Sequence, residues 1–190
     1  MKFILKLSAA ILILVIILVA SATAYIRLGG NLHTVVEGEL YRSGQPTPER
    51  IEAYHKKYGI KTIINLRGAS IYKKWYQDEI KTSTRLGIMH YDVPFSPTVA
   101  SPLENMDHFL WLMKHAEKPV LVHCKGGSDR AGLASAIYLY GAKNFSPEEA
   151  KKAGFRAIYG HVPYLWSDTS AVQRSFDRFA SCIKKYRGLK

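Results

Sequence analysis

Short β-rich runs alternate with helix-forming segments through residues 28–190 and predict an α/β fold, a central mostly parallel sheet flanked by helices. Two observations carry this reading. The apolar runs are brief, rich in Val, Ile, Thr and Tyr, and bounded by turn residues, as strands are. Between them lie segments with helix caps or helical spacing, the crossovers that parallel neighbours require. At 190 residues the chain suits one domain of ordinary size once its N-terminus is set aside.

That N-terminus, residues 1–27, is expected to be a separate transmembrane or signal helix preceding a domain over 28–190. Lys2 and Lys6 precede Leu7 to Ile26, twenty residues without a charge, before Arg27. Twenty helical residues reach roughly 30 Å, the thickness of a bilayer core. Ala22-Thr23-Ala24 also offers a small-x-small cleavage pattern, so the segment is an uncleaved anchor or a signal peptide. The N-terminal lysines favour that end staying inside. The domain is then membrane-anchored outside the cytoplasm, on the periplasmic side, or secreted to the periplasm if the segment is cleaved.

Gly29 to Thr34 reads as a linker, and Val35 to Arg42 as a first extended segment ending in Ser43-Gly44-Gln45-Pro46. Thr47 is an N-cap with Pro48 at the first helical position and a helix to Lys57. Ile60 to Leu66 is a strand, Ile71 to Leu86 a helix, and Ile88 to Phe95 a strand closed before Pro97. Ser101 is expected to cap a helix from Pro102 to about Glu117. Pro119 to Val122 is a strand, followed by a tight loop and a helix running from Arg130 to Tyr140. Ser146-Pro147-Glu148-Glu149 opens another helix by the same cap logic, and Asp168 to about Tyr186 is the last.

The loop His123-Cys124-Lys125-Gly126-Gly127-Ser128-Asp129-Arg130 joins a strand to a helix N-terminus. That placement makes an anion site, because successive backbone N–H groups point inward and the helix dipole adds positive charge. Gly126 and Gly127 let the backbone curl closely around a ligand. Arg130, six residues after Cys124, can return to grip two phosphate oxygens bidentately. The same field favours the thiolate form of Cys124, which a bound phosphate would face.

The pattern H-C-x-x-G-x-x-R resembles the signature of the cysteine-dependent phosphatases of the protein tyrosine phosphatase superfamily, in its dual-specificity branch. Leu40-Tyr41-Arg42-Ser43-Gly44-Gln45-Pro46, Ile60 to Arg67 and Lys118 to Val122 look like a bacterial group of small dual-specificity-like enzymes with one N-terminal hydrophobic segment. The likeness covers roughly Gly38 to Tyr140. It implies the cysteine-phosphatase fold and phosphate-monoester hydrolysis through a cysteinyl-phosphate intermediate, with no metal and no cofactor. Carried onto matching positions, Cys124 is the nucleophile and Arg130 the clamp. The amides of Lys125, Gly126, Gly127, Ser128, Asp129 and Arg130 bind phosphate, and His123 supports the loop. Arg42 and Arg67 are family-shaped positions that either contact substrate or make ordinary ion pairs.

Two departures matter. Relatives mostly place Ser or Thr after the arginine, where a hydroxyl stabilises the departing thiolate; this chain has Ala131, which implies slower breakdown of the phosphoenzyme. The general acid is open between two carboxyls, with neither of them as the remaining alternative. Asp129 lies inside the loop, as in a D-R variant of some phosphoinositide phosphatases. Asp92, in Tyr91-Asp92-Val93-Pro94-Phe95, lies near a strand end where the family's acid-bearing loop usually begins.

Formal net charge is +12, and removing Met1 to Ala24 takes Lys2 and Lys6 and leaves +10. A basic domain beside a membrane suits phosphorylated substrates or anionic headgroups. The lysines come as scattered pairs without a nucleic-acid motif, so no nucleic-acid partner is expected. Two cysteines make no disulfide framework, and Cys182 reads as a buried apolar residue of the last helix. The leading function is a tyrosine or dual-specificity phosphatase acting on phosphoprotein. The alternatives are a phosphatase of a membrane lipid phosphate or other non-protein phosphate, a non-catalytic phosphate-binding module, and a rhodanese-type sulfur-transfer domain.

Overall fold

The computed structural model describes residues 2–161 and 170–187. Its sheet contains β1 (His33–Val36), β2 (Leu40–Ser43), β3 (Thr62–Asn65), β4 (Met89–Asp92) and β5 (Val120–His123), in the order β1-β2-β5-β3-β4. β2, β5, β3 and β4 run parallel, and β1 pairs antiparallel at one edge, so the sheet is mixed. The segment read as one strand over Val35 to Arg42 is in fact a hairpin. Glu39 N–H donates to Val36 O, and Gly38 adopts φ +69°, a left-handed turn conformation that suits glycine.

Alternation along each strand sorts the core into two layers. Leu40, Ile64, Val120 and Val122 pack on one side with α4 (Leu103–His115), α5 (Asp129–Ala142), α6 (Pro147–Gly154) and α7 (Ser170–Arg187). Tyr41, Ile63 and Leu121 pack on the other with Ile51 and Tyr54 of α2 (Pro48–Tyr58), whose neighbour is α3 (Lys74–Arg85). The central strand β5 has every side chain buried. Burying an aliphatic chain of this size contributes about 1.5 to 3 kcal/mol, so Val120, Leu121 and Val122 hold the strand that leads into Cys124.

Local signals explain most helix ends. Thr47 accepts from Arg50 N–H ahead of Pro48, and Gly59 closes α2 in the left-handed region. Ser146 and Glu149 form a full capping box at α6. Ser101 does otherwise. Its hydroxyl accepts from Ser96 N–H and its own N–H donates to Ser175 Oγ, so it ties the preceding loop to α7, while α4 begins at Leu103. α3 starts at Lys74 rather than near Ile71. Cys182 is half-buried on α7 rather than fully enclosed. Tyr164 and Asp168 lie outside the described residues.

α1 (Lys2–Leu28) is one 27-residue helix, and its described side chains from Ile11 to Ser21 are all exposed. Among the described residues no helix is long and apolar enough to cross a membrane; the twenty-residue uncharged run belongs to the sequence.

Candidate active site

β5 delivers Cys124 to the floor of a loop that closes into the first turn of α5. Cys124 is buried, its N–H donates to Ser43 O at 3.3 Å, and its Sγ accepts from Gly127 N–H at 3.2 Å. Four of the loop's carbonyls are held by groups outside the loop and point away from this centre. Gln45 N–H donates to Lys125 O, Asn31 Nδ2 to Gly126 O at 2.8 Å, and Arg42 Nη2 to Gly127 O and Ser128 O at 2.9 and 2.7 Å. In a trans peptide the C=O and the following N–H point in opposite directions. Four outward carbonyls therefore turn the N–H groups of Gly126, Gly127, Ser128 and Asp129 inward, the concave array of donors that binds an anion.

Arg42 is the brace of this arrangement. It is fully buried in β2, donates its Nη1 to Gly154 O at 2.7 Å, and lies over the Tyr159 ring at 4.3 Å. Burial pushes its guanidinium down to about 10, with Cys124 pulling the other way, so it remains charged at neutral pH. Arg42 thus works beneath the loop and does not itself line the cavity. Gly127 is obligatory for a different reason. Its φ is +75°, and a Cβ there would sit 2.5 Å from Gly44 N and 2.7 Å from Ser43 C, backbone that cannot move aside.

His123 is fully buried at the end of β5 with its Nε2 2.9 Å from Glu79 Oε1, and that same oxygen lies 2.7 Å from His90 Nε2. Gln45 Nε2 donates to the other oxygen, Oε2. Burial alone would raise the Glu79 carboxyl, but His123 and His90 outweigh it and hold the group at about 2. Gln45 links this cluster to Arg67, whose Nη1 donates to Gln45 Oε1 at 2.7 Å and whose guanidinium stacks on Trp75 at 3.6 Å. Arg67 is therefore held by neighbours, outside the cavity lining.

A cavity of about 590 Å³ opens above Cys124, large enough for an organic phosphate rather than phosphate alone. Lys125, Gly126, Ser128, Asp129 and Arg130 line it, joined on the far side by Asn31, Gln45 and Arg50. Lys125 is exposed at the rim, whereas Ala131 is fully buried behind the loop. The two candidate acids are placed differently. Asp129 lines the cavity, with Oδ1 2.8 Å from His161 Nδ1. Asp92 does not line it. Its Oδ1 accepts from Asn65 Nδ2 at 2.7 Å and its Oδ2 from Tyr76 OH at 2.5 Å, contacts that pin β4 to β3 and α3.

The arrangement can bind a phosphate group in the amide cradle, clamp it with Arg130 and present it to the Cys124 sulfur. Sequence reasoning found the loop but missed Asn31, Glu79, His90 and His161, and it left Arg42 between two roles. Only Arg42 stood in a recognisable motif. The others sit in ordinary-looking helix and loop contexts, and only the tertiary structure brings them to the loop.

Comparison with known proteins agrees with this geometry. Residues 31–175 match a family model described as the Swiss Army Knife protein, DSP-PTPase phosphatase domain. The mouse dual specificity protein phosphatase CDC14A is 34% identical over 103 residues, 54% of this chain and 16% of that protein. The inositol diphosphatase SIW14 of Saccharomyces cerevisiae is 30% identical over 102 residues, 51% of this chain and 35% of its own. The chain thus spans well under half of either relative. A crystal structure of P. aeruginosa TpbA in complex with pTyr shares the fold with a TM-score of 0.62, at 19% identity over 82% of this chain and 91% of the other.

Proposed function

We propose, from the premise that this chain belongs to the DSP-PTPase family of cysteine-dependent phosphatases, that it hydrolyses phosphate monoesters through a phosphorylated Cys124. The four outward carbonyls of the loop carry the reading, since they leave a ring of donors directly above a buried thiol. Cys124 Sγ attacks phosphorus, the S–P bond forms and the ester P–O bond breaks. Asp129 gives its proton to the leaving oxygen. Water then attacks the phosphocysteine, Asp129 takes up a proton, and the S–P bond breaks to release phosphate and thiolate. Arg130 and the amides hold the charge that builds on the phosphoryl oxygens, usually the largest catalytic contribution. CDC14A is a dual specificity protein phosphatase and TpbA binds pTyr, which supports a phosphorylated protein as the first substrate class.

A non-protein phosphate is the second reading, and one placement favours it. Arg50 lines the cavity and donates to Leu28 O, the last residue of α1, while Gly30 and Asn31 form the adjoining wall. Two extended residues span about 7 Å. With α1 as a membrane anchor, the mouth would lie at headgroup level and the domain outside the cytoplasm, as Lys2 and Lys6 favour. The all-round exposure of the described apolar side chains of α1 supports that anchor. SIW14, an inositol diphosphatase, supports a soluble phosphate ester instead.

The test is turnover of para-nitrophenyl phosphate by the full-length, detergent-solubilised and reduced protein beside Cys124→Ser. Activity in the wild type and none in the variant is expected; equal activity in both would refute the cysteine route. Phosphotyrosine peptide, inositol phosphate and short-chain phospholipid phosphate then separate the substrate classes.

A further inference from the structure

The Asp129 carboxylate is backed by a partly buried chain of polar contacts that the phosphate loop itself does not need. Asp129 Oδ1 lies 2.8 Å from His161 Nδ1, and His161 Nε2 lies 2.9 Å from Gln173 Nε2. These residues come from the first turn of α5, the segment after the short 3-10 helix Ala157–Tyr159, and α7. His161 is only 2% exposed, with its ring against Phe155 at 4.9 Å. A buried imidazole with a partner on each nitrogen is fixed in orientation, and its partners decide which nitrogen bears hydrogen.

Gln173 makes that decision. An amide nitrogen donates and never accepts, so His161 Nε2 must be the acceptor and carry the lone pair. The ring is then neutral with its hydrogen on Nδ1, which donates to Asp129 Oδ1. Oδ1 is thereby occupied from behind. Among the described residues Oδ2 has only a long 3.5 Å contact with Ser128 Oγ, which leaves it as the oxygen to carry a proton in a residue that lines the cavity. Were the Gln173 amide reversed, its oxygen would accept from Nε2–H, and the neutral ring would offer Nδ1 as an acceptor, drawing an Asp129 proton to Oδ1 and away from the cavity side.

We propose that His161, kept in its Nδ1–H form by Gln173, is the positioning residue that presents Asp129 Oδ2 as the proton donor to the leaving oxygen. This rests on the assignment of Asp129 as the acid in the reaction above. His161 exchanges no proton itself. In the first step the proton leaves Oδ2 for the ester oxygen, and the His161 Nδ1–H hydrogen bond to Oδ1 stabilises the carboxylate that forms. In the second step the same carboxylate takes a proton from the attacking water.

A structural prop and a positioning residue differ in how they respond to the leaving group. Phenolate, a basic leaving group, needs protonation far more than para-nitrophenolate does. The measurement is the ratio of kcat for phenyl phosphate to kcat for para-nitrophenyl phosphate in the full-length reduced protein. His161→Leu should lower this ratio about tenfold, a modest part of what a general acid supplies. His161→Asn, whose amide N–H can replace the Nδ1–H, should recover most of it. Gln173→Glu accepts from Nε2–H, drives the ring to imidazolium and should also lower the ratio. A ratio left at the wild-type value in either His161→Leu or Gln173→Glu overturns the proposal, and Gln173→Glu alone decides if the leucine variant does not fold. Asp129→Asn run in parallel separates the two failures. A fall there without one in the His161 and Gln173 variants removes the positioning role alone; no fall there removes Asp129 as the acid.

Discussion

Asp92 and Asp129 both sit at the carboxyl-end rim of the same sheet, and the difference between them lies in what surrounds each carboxylate. Asp92 ends β4 opposite Asn65 in register, and both its oxygens are taken, one by Asn65 and one by Tyr76. The cost falls partly on Tyr76, whose hydroxyl is pushed up to about 12 by burial and by the Asp92 charge. Asp129 begins α5, lines the cavity and shares one oxygen with His161, while its other oxygen has a long 3.5 Å contact with Ser128 Oγ. A carboxylate becomes available for proton transfer when its hydrogen bonds are unevenly distributed, with one oxygen anchored and the other open. The strand end alone does not confer that.

Exchange of each carboxylate for its amide gives the sharpest test of this contrast and the largest expected effect. Asp129→Asn should lower kcat for phenyl phosphate about a hundredfold, the lower range of what a general acid contributes. Asp92→Asn should keep the wild-type dependence on the leaving group and instead lose about 1 to 2 kcal/mol of stability, because an amide cannot accept two hydrogen bonds on two oxygens. Steady-state kinetics on both substrates and urea unfolding read the two effects. A reversed pattern would make Asp92 the acid and α3 with β4 a moving part of the site.

The contrast also shows what could be read from the residues in order. The loop was legible because its chemistry is contiguous: Cys124, the glycines and Arg130 lie within seven positions, and the strand and helix on either side declare themselves by composition. Helices opened by Thr47-Pro48 and Ser146-Pro147 were legible for the same reason, since a cap and its target are three residues apart. The β1–β2 hairpin was not, because Glu37-Gly38-Glu39 is too polar and short to stand out within a β-rich run. Nor were the supports of the site. Asn31 reaches Gly126 across 95 positions, Glu79 reaches His123 across 44, and His161 reaches Asp129 across 32. Such contacts leave no periodicity along the chain. Ser101 illustrates the opposite error, a good cap residue spent on tertiary contacts instead.

A smaller effect is expected from removing the brace beneath the loop. Arg42→Met fills similar volume but leaves the carbonyls of Gly127 and Gly154 without the Arg42 donor, while Ser128 O keeps only the Gly132 N–H. Each buried unpaired carbonyl costs about 1 to 3 kcal/mol, and relaxation of the loop would recover part of it, so a loss of about 3 kcal/mol is expected. Because the carbonyls set the direction of the loop amides, phosphate should also bind more weakly, raising the inhibition constant for inorganic phosphate. Lost stability with unchanged phosphate inhibition would mean that Arg42 only fills the core.

The mildest change concerns Glu79, which stands beneath His123 as His161 stands behind Asp129, but with its charge fully committed. Its carboxyl is held at about 2, against an ordinary value of 4.5, by His123 and His90 in spite of its burial. A carboxyl depressed by folding contributes stability that is complete above its unfolded value and disappears as pH falls through its folded value. That contribution should therefore fade between about pH 4.5 and pH 2 in the wild type. Glu79→Gln removes the charge, so its melting temperature should be lower at neutral pH and should fall less steeply across this acid window. The histidines would then face an uncharged amide, and the strand that carries Cys124 would lose the anion beneath it. If the acid limb of the melting curve is as steep in the variant as in the wild type, other carboxylates govern it. The cluster at Glu39, held at about 2 by Lys143, Tyr138 and Lys118 on the opposite end of β5, is then the next to exchange.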